Sequence, residues 1–121
     1  MKPEIIKIDE VEYVRRDAAQ KPAEELNGMP YVIVRTYSAG VFAGYLETRS
    51  GQEVVMKQAR RLYYWKGAAT LSQLAMEGVK NPEDCKFPVE VNKIILLQAI
   101  EILPCTQMAK ENIAMVKIWK I

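Results

Sequence analysis

The chain has 121 residues, 50% of them apolar and 26% charged, with a net charge of +2. This is the balance of one globular domain with a single core, and +2 is too small for a dedicated duplex-nucleic-acid binder working by counterion release. The absence of histidine removes imidazole acid–base chemistry, Ser–His and Cys–His nucleophiles and imidazole-dependent metal sites, and two cysteines are too few for a disulfide framework or a cysteine-only zinc site.

Met1 to Glu12 mixes acidic and basic residues with isoleucines, so no apolar leader core is expected there. No window approaches ~20 apolar residues, and unpaired cysteines suit a reducing cytoplasm. Val11 to Arg16 reads as a first strand. A loop follows over 17–30, broken by Pro22, Asn27-Gly28 and Pro30. Tyr31 to Tyr37 holds four β-branched residues and two tyrosines, a strong strand signal. Ser38-Ala39-Gly40 turns the chain into a hairpin partner, Val41 to Thr48, and Ser50-Gly51 turns it again into Glu53 to Gln58. Arg60 to Trp65 continues as an aromatic strand or as an extension past a bulge.

Helical spacing takes over at Thr70 to Glu77, with Thr70 as N-cap and Gly78 as stop. After a polar loop, Val89 to Leu97 and Ala99 to Leu103 are apolar enough for buried strands, or for one long kinked strand. Thr106 caps a last helix to about Met115, and Val116 to Ile121 is an extended tail. The expectation is a single α+β domain over 1–121: strand and loop 1–30, antiparallel β-meander 31–66, then helix, strands and helix 67–121. Both short helices pack on one face of the sheet.

Arginines set among aromatic residues are the densest chemical signal. Alternation puts Tyr31, Ile33, Arg35 and Tyr37 on one strand face and Val32, Val34 and Thr36 on the other, which looks like core. Arg60, Leu62 and Tyr64 face one way, and Arg61, Tyr63 and Trp65 the other. Guanidinium groups pair with phosphates and aromatic rings stack on bases, so this pattern suits a nucleotide. It equally suits a core filled by Trp65 and a tyrosine with solvated arginines. Phe87, in the loop before a strand carrying Asn92, could clamp a base by stacking and amide hydrogen bonding, or staple the loop to the core. The Gly40 and Gly44 segment lacks the strand–loop–helix setting of a phosphate loop; Gly40 reads as a hairpin turn and Gly44 as a bulge or close approach. The acidic pairs Glu24-Glu25 and Glu83-Asp84, Ser72 and Cys85 lack the partners that catalysis needs, so no enzyme and no cofactor is expected.

At Val32 to Gly44 (VIVRTYSAGVFAG), Ala59 to Ala68 (ARRLYYWKGA) and Leu71 to Ala75 (LSQLA) the chain resembles a small family of phage and prophage proteins. The likeness runs from about Val11 into the last helix. In size, β-meander and phage setting it is similar to the anti-Thoeris sponge family, whose members capture glycocyclic ADP-ribose signals, some also binding cyclic trinucleotides in hexamers built from dimers. The resemblance implies a host-cytoplasmic anti-defence protein that sequesters a cyclic nucleotide-type signal as a homo-oligomer, dimer or hexamer, without membrane or duplex nucleic acid. No ligand motif of that family transfers residue by residue. Arg35, Arg60, Arg61, Trp65, Phe87, Asn92 and Lys110 are the ligand-binding candidates on side-chain chemistry alone. A phage module that binds a host protein, or a minor structural protein, is the alternative, with Tyr63, Tyr64 and Trp119 suited to a protein interface.

Overall fold

A computed structural model describes residues 21–121; the strand expected over Val11–Arg16 lies outside them. Five antiparallel-paired strands, β1 (Tyr31–Thr36), β2 (Val41–Ser50), β3 (Glu53–Arg61), β4 (Val91–Leu96) and β5 (Ala99–Pro104), form one sheet in the order β4-β3-β2-β1-β5. Two helices, α1 (Leu71–Glu77) and α2 (Gln107–Met115), complete an α+β fold. Both start at the expected caps: the Thr70 hydroxyl accepts from the Gln73 amide at 3.2 Å and Thr106 from Ala109 at 3.0 Å. Thr106 also donates to the Met76 carbonyl at 2.7 Å, tying the start of α2 to the end of α1. No helix among the described residues is long and apolar enough to cross a membrane.

β4 and β5 are consecutive in sequence yet occupy opposite edges of the sheet. Only Leu97 and Gln98 separate them, and both run antiparallel to their partners β3 and β1. They are therefore two halves of one kinked segment, and the sheet must curl until its edges meet there. Backbone bonds at the kink mark the meeting: Gln98 accepts from Tyr37 and Ala99 donates to Gln52.

The curl gives the sheet two cores. Inside it, Val32, Val34, Phe42, Val54, Met56, Ala59, Leu96 and Ala99 pack together. Outside it, Tyr31, Ile33, Ala43 and Tyr45 are covered by Leu74 and Ala75 of α1 and by Ala109 and Ile113 of α2. This corrects two expectations. Both faces of β1 are buried, because helices cover one and the curl covers the other. β4 and β5 are not buried strands, since each has a neighbour on one side only; Val91, Ile95 and Ile100 are exposed.

A bulge in β3 interrupts its pairing with β2. Ala43 faces Arg60 and Tyr45 faces Lys57, so Gln58 and Ala59 together oppose Gly44. Gln58 adopts φ 49°, in the left-handed region. Glycine is required opposite it: a Cβ on Gly44 would stand 2.8 Å from the Ala59 Cα and 3.0 Å from two backbone oxygens. Gly44→Ala is expected to lower stability by roughly 1–3 kcal/mol, as overpacking does. Urea unfolding should show a lower midpoint at an unchanged slope.

Candidate functional site

The outer face of the sheet carries a cleft of about 380 Å³ beside the last helix. Six residues matter to its chemistry: Tyr31, Tyr45, Gln58, Arg60, Glu90 and Lys110. Tyr31 and Tyr45 come from directly paired positions on β1 and β2 and meet edge to face, with centroids 5.2 Å apart at 77°. Lys110 reaches over them from α2, its Nζ 5.9 Å from the Tyr31 ring and 5.3 Å from the Tyr45 ring. The geometry is that of a cation over aromatic faces. It follows from helical spacing, because Lys110 lies between the buried Ala109 and Ile113 that anchor α2 to the sheet.

Arg60 forms the floor. Only 8% exposed, it donates from Nε to the Pro88 carbonyl at 3.0 Å and from Nη1 to Ile113 at 2.8 Å. Its Nη2 donates to Phe87 at 3.1 Å and Val116 at 2.6 Å. Ile113 and Val116 belong to the C-terminal end of α2, where carbonyls lack helical partners and a cation is favoured. A guanidinium has five N–H groups. Four serve these carbonyls, and the fifth, on Nη1, has no acceptor among the described residues.

Two further donors belong to residues that line the same space. Tyr31 and Tyr45 are 9% and 7% exposed, and no hydrogen bond among the described residues engages either hydroxyl. Burial pushes the Tyr31 phenol well above its ordinary range, with Cys105, Tyr45 and Glu90 adding to the rise and Arg60 opposing it. The phenol therefore stays protonated and able to donate. Burial lowers the Arg60 pKa, against the opposing pull of Tyr31 and Glu90, but a guanidinium keeps its charge in proteins. The cleft thus holds two cations, one carboxylate, two phenols without a partner among the described residues and the Gln58 amide on aromatic walls, a donor set suited to an anion attached to a ring.

The sequence-derived candidates divide clearly. Arg60 and Lys110 come together here. Arg35 is the one exposed residue of β1, its Nε 2.8 Å from Glu101, so an ion pair already engages it. Arg61 is on the inner face, over the Phe42 ring at 4.4 Å and bonded to the Ala39 carbonyl. Asn92 is exposed on β4 and does not line the cleft. Trp65 is half-buried against the sheet–helix core, in a loop because β3 ends at Arg61. Phe87 is fully buried, with the Arg60 guanidinium 5.5 Å above its ring, so it cannot clamp a base. Sequence reading did not name Tyr31, Tyr45, Gln58 or Glu90 as ligand-binding candidates. Only the cross-strand register and the Gln58 bulge bring them together.

Two outcomes test these assignments. Arg60→Ala should lower stability by about 3 kcal/mol or more, since hydrogen bonds to a charged group contribute about 1.5–3 kcal/mol and buried carbonyls would be left unpaired. Arg35→Ala, which removes a surface pair, should stay below about 1 kcal/mol in the same denaturant series. A second outcome concerns the thiols. Burial raises Cys105 from 9.0 to about 12 and also raises Cys85. A pKa raised in the folded state gives stability that is complete below the unfolded value and is lost as pH climbs towards the folded one. Stability should fall between about pH 9 and pH 12, and Cys105→Ala should flatten the fall near pH 9–10, before tyrosine titration joins it.

No curated protein and no solved structure matches the chain. A family model described as "Domain of unknown function (DUF6948)" matches residues 29–113. The match starts just before β1 and ends in α2, taking in Tyr31, Tyr45, Gln58, Arg60, Glu90 and Lys110. It spans well over half of the chain, which therefore belongs to the DUF6948 family.

Proposed function

We propose that the protein is a binding protein that captures a small phosphate-bearing, ring-containing ligand of cyclic-nucleotide type in this cleft and holds it unchanged. The observation that carries the reading is one cleft lined by Lys110, Arg60 and two buried tyrosines whose hydroxyls have no partner among the described residues. Phosphate oxygens would satisfy those donors, and the aliphatic wall of Val89, Ile113 and Val116 would receive the ring. Tight capture without turnover agrees with the chemistry on offer. The Tyr31 phenol is held protonated, and Glu90 has no second carboxylate beside it in the cleft lining. The resemblance of Val32–Gly44 and Ala59–Ala68 to phage proteins supplies the biological part of the proposal: a sponge for a host immune signal, acting in the host cytoplasm as a homo-oligomer.

One observation favours a second reading. Tyr63 and Trp119 stack in parallel at 5.2 Å while remaining exposed, with Lys86 5.6 Å from the Trp119 ring. An exposed aromatic pair with a cation is the composition of a protein-contact hot spot.

Purified protein incubated with cyclic ADP-ribose isomers and cyclic di- and trinucleotides, then filtered and heat-denatured, separates the readings. Depletion of one ligand and its intact recovery is expected, and Lys110→Ala should weaken retention at least about tenfold while the fold persists. Recovery of a converted product would make the protein an enzyme. No depletion at micromolar protein would leave the contact-surface reading.

A further inference from the structure

The outer face carries a feature that neither the core nor the cleft explains. Tyr31 pairs directly with Tyr45, Tyr45 with Lys57, and Lys57 with Lys93. Directly opposed residues share a face, so these four side chains form one row across β1, β2, β3 and β4: two aromatics, then two lysines. The bulge makes the row continuous with the cleft. Residues three apart on a regular strand point to opposite faces, but the extra residue at Gln58 brings Lys57 and Arg60 to the same one.

Two lysines directly opposed in a sheet repel each other. The only ion pair among the described residues is Arg35–Glu101, so no described carboxylate pairs with either lysine. Lys93 alone would be an ordinary guard of an edge strand. That explanation does not extend to Lys57, which is half-buried on β3 between two paired neighbours. Lys57 and Lys93 are thus a second cationic position on the face that carries Lys110 and Arg60. Adjacent strands lie about 4.8 Å apart, which puts Lys93 roughly 10 Å along the row from Tyr45.

We infer that the Lys57–Lys93 pair is a second anion subsite, so that the captured ligand carries two separated phosphates, one in the cleft at Lys110 and Arg60 and the other on this pair. The inference rests on the small-ligand reading above and narrows it. A ligand with a single phosphate would fill only the cleft and leave the lysine repulsion in place. One with phosphates at both ends of a nucleoside engages the aromatic half and the cationic half of the row together.

Calorimetric titration with adenosine 5′-monophosphate and adenosine 3′,5′-bisphosphate tests this directly. The unmodified protein should bind the bisphosphate about tenfold more tightly or better, with a steeper loss of affinity as salt rises. Lys57→Ala/Lys93→Ala should erase that advantage and leave the monophosphate affinity unchanged. Its thermal midpoint without ligand should be unchanged or higher, because the repulsion is gone, and this separates a lost subsite from a damaged fold. Equal affinity for the two probes, or an advantage that survives in the double variant, would overturn the subsite while leaving the cleft reading intact. Failure of both probes to bind would overturn the two together. A hexauridylate strand that binds more tightly than the bisphosphate through the same lysines would replace the subsite with a polynucleotide track.

Discussion

One buried guanidinium holds the site's architecture. Arg60 leaves the end of β3 and binds carbonyls of Phe87, Pro88, Ile113 and Val116. It thereby fixes three separate stretches of chain: the sheet, the segment leading into β4, and the C-terminal end of α2. The position of α2 decides where Lys110 stands relative to Tyr31 and Tyr45. The cleft therefore depends on a cation that is also a principal cross-link of the fold, and the helix end gains a positive charge where its carbonyls need one.

The second constraint is the short link between β4 and β5. Two residues join strands at opposite edges, so the sheet closes towards that link and acquires an inner core. Closure leaves the helices only the outer face, which puts both of them, and every cleft residue, on one side. The bulge at Gln58 and Gly44 works within this frame. It lets β3 send Met56 and Ala59 inward while Lys57 and Arg60 both point outward.

Much of this fold was legible in the sequence for local reasons. β-Branched runs and glycine-containing turns marked β1 to β3, and Thr70, Gly78 and Thr106 marked helix ends that the structure keeps. The kinked-strand alternative for Val89–Leu103 describes what β4 and β5 do, although their exposure did not follow from their apolar composition. That exposure is set by which strands they pair with, a non-local fact. The site was legible only in part. Alternation separated Arg60 from Arg61 without saying which face the helices would cover. Phe87 offered a ring for stacking, but Arg60 already occupies its upper side. Tyr31, Tyr45 and Lys110 converge from well-separated parts of the chain through register and helix docking, which no spacing in the sequence encodes.

The contrast between Arg35 and Arg60 bears on the proposed anion binding. Arg35 is paired with Glu101 at the surface, and the carboxylate cancels its field at any distance beyond the pair. Arg60 is buried and satisfied by four neutral carbonyls, which orient dipoles towards it without removing its net charge. Burial also reduces screening by water and salt, so that charge acts further into the cleft than an exposed one would. Glu90 offsets part of it, and Lys110 restores the balance to a net positive charge at the mouth. A guanidinium paired with a carboxylate could have cross-linked the same segments equally well. Cross-linking through carbonyls instead leaves the site both rigid and cationic.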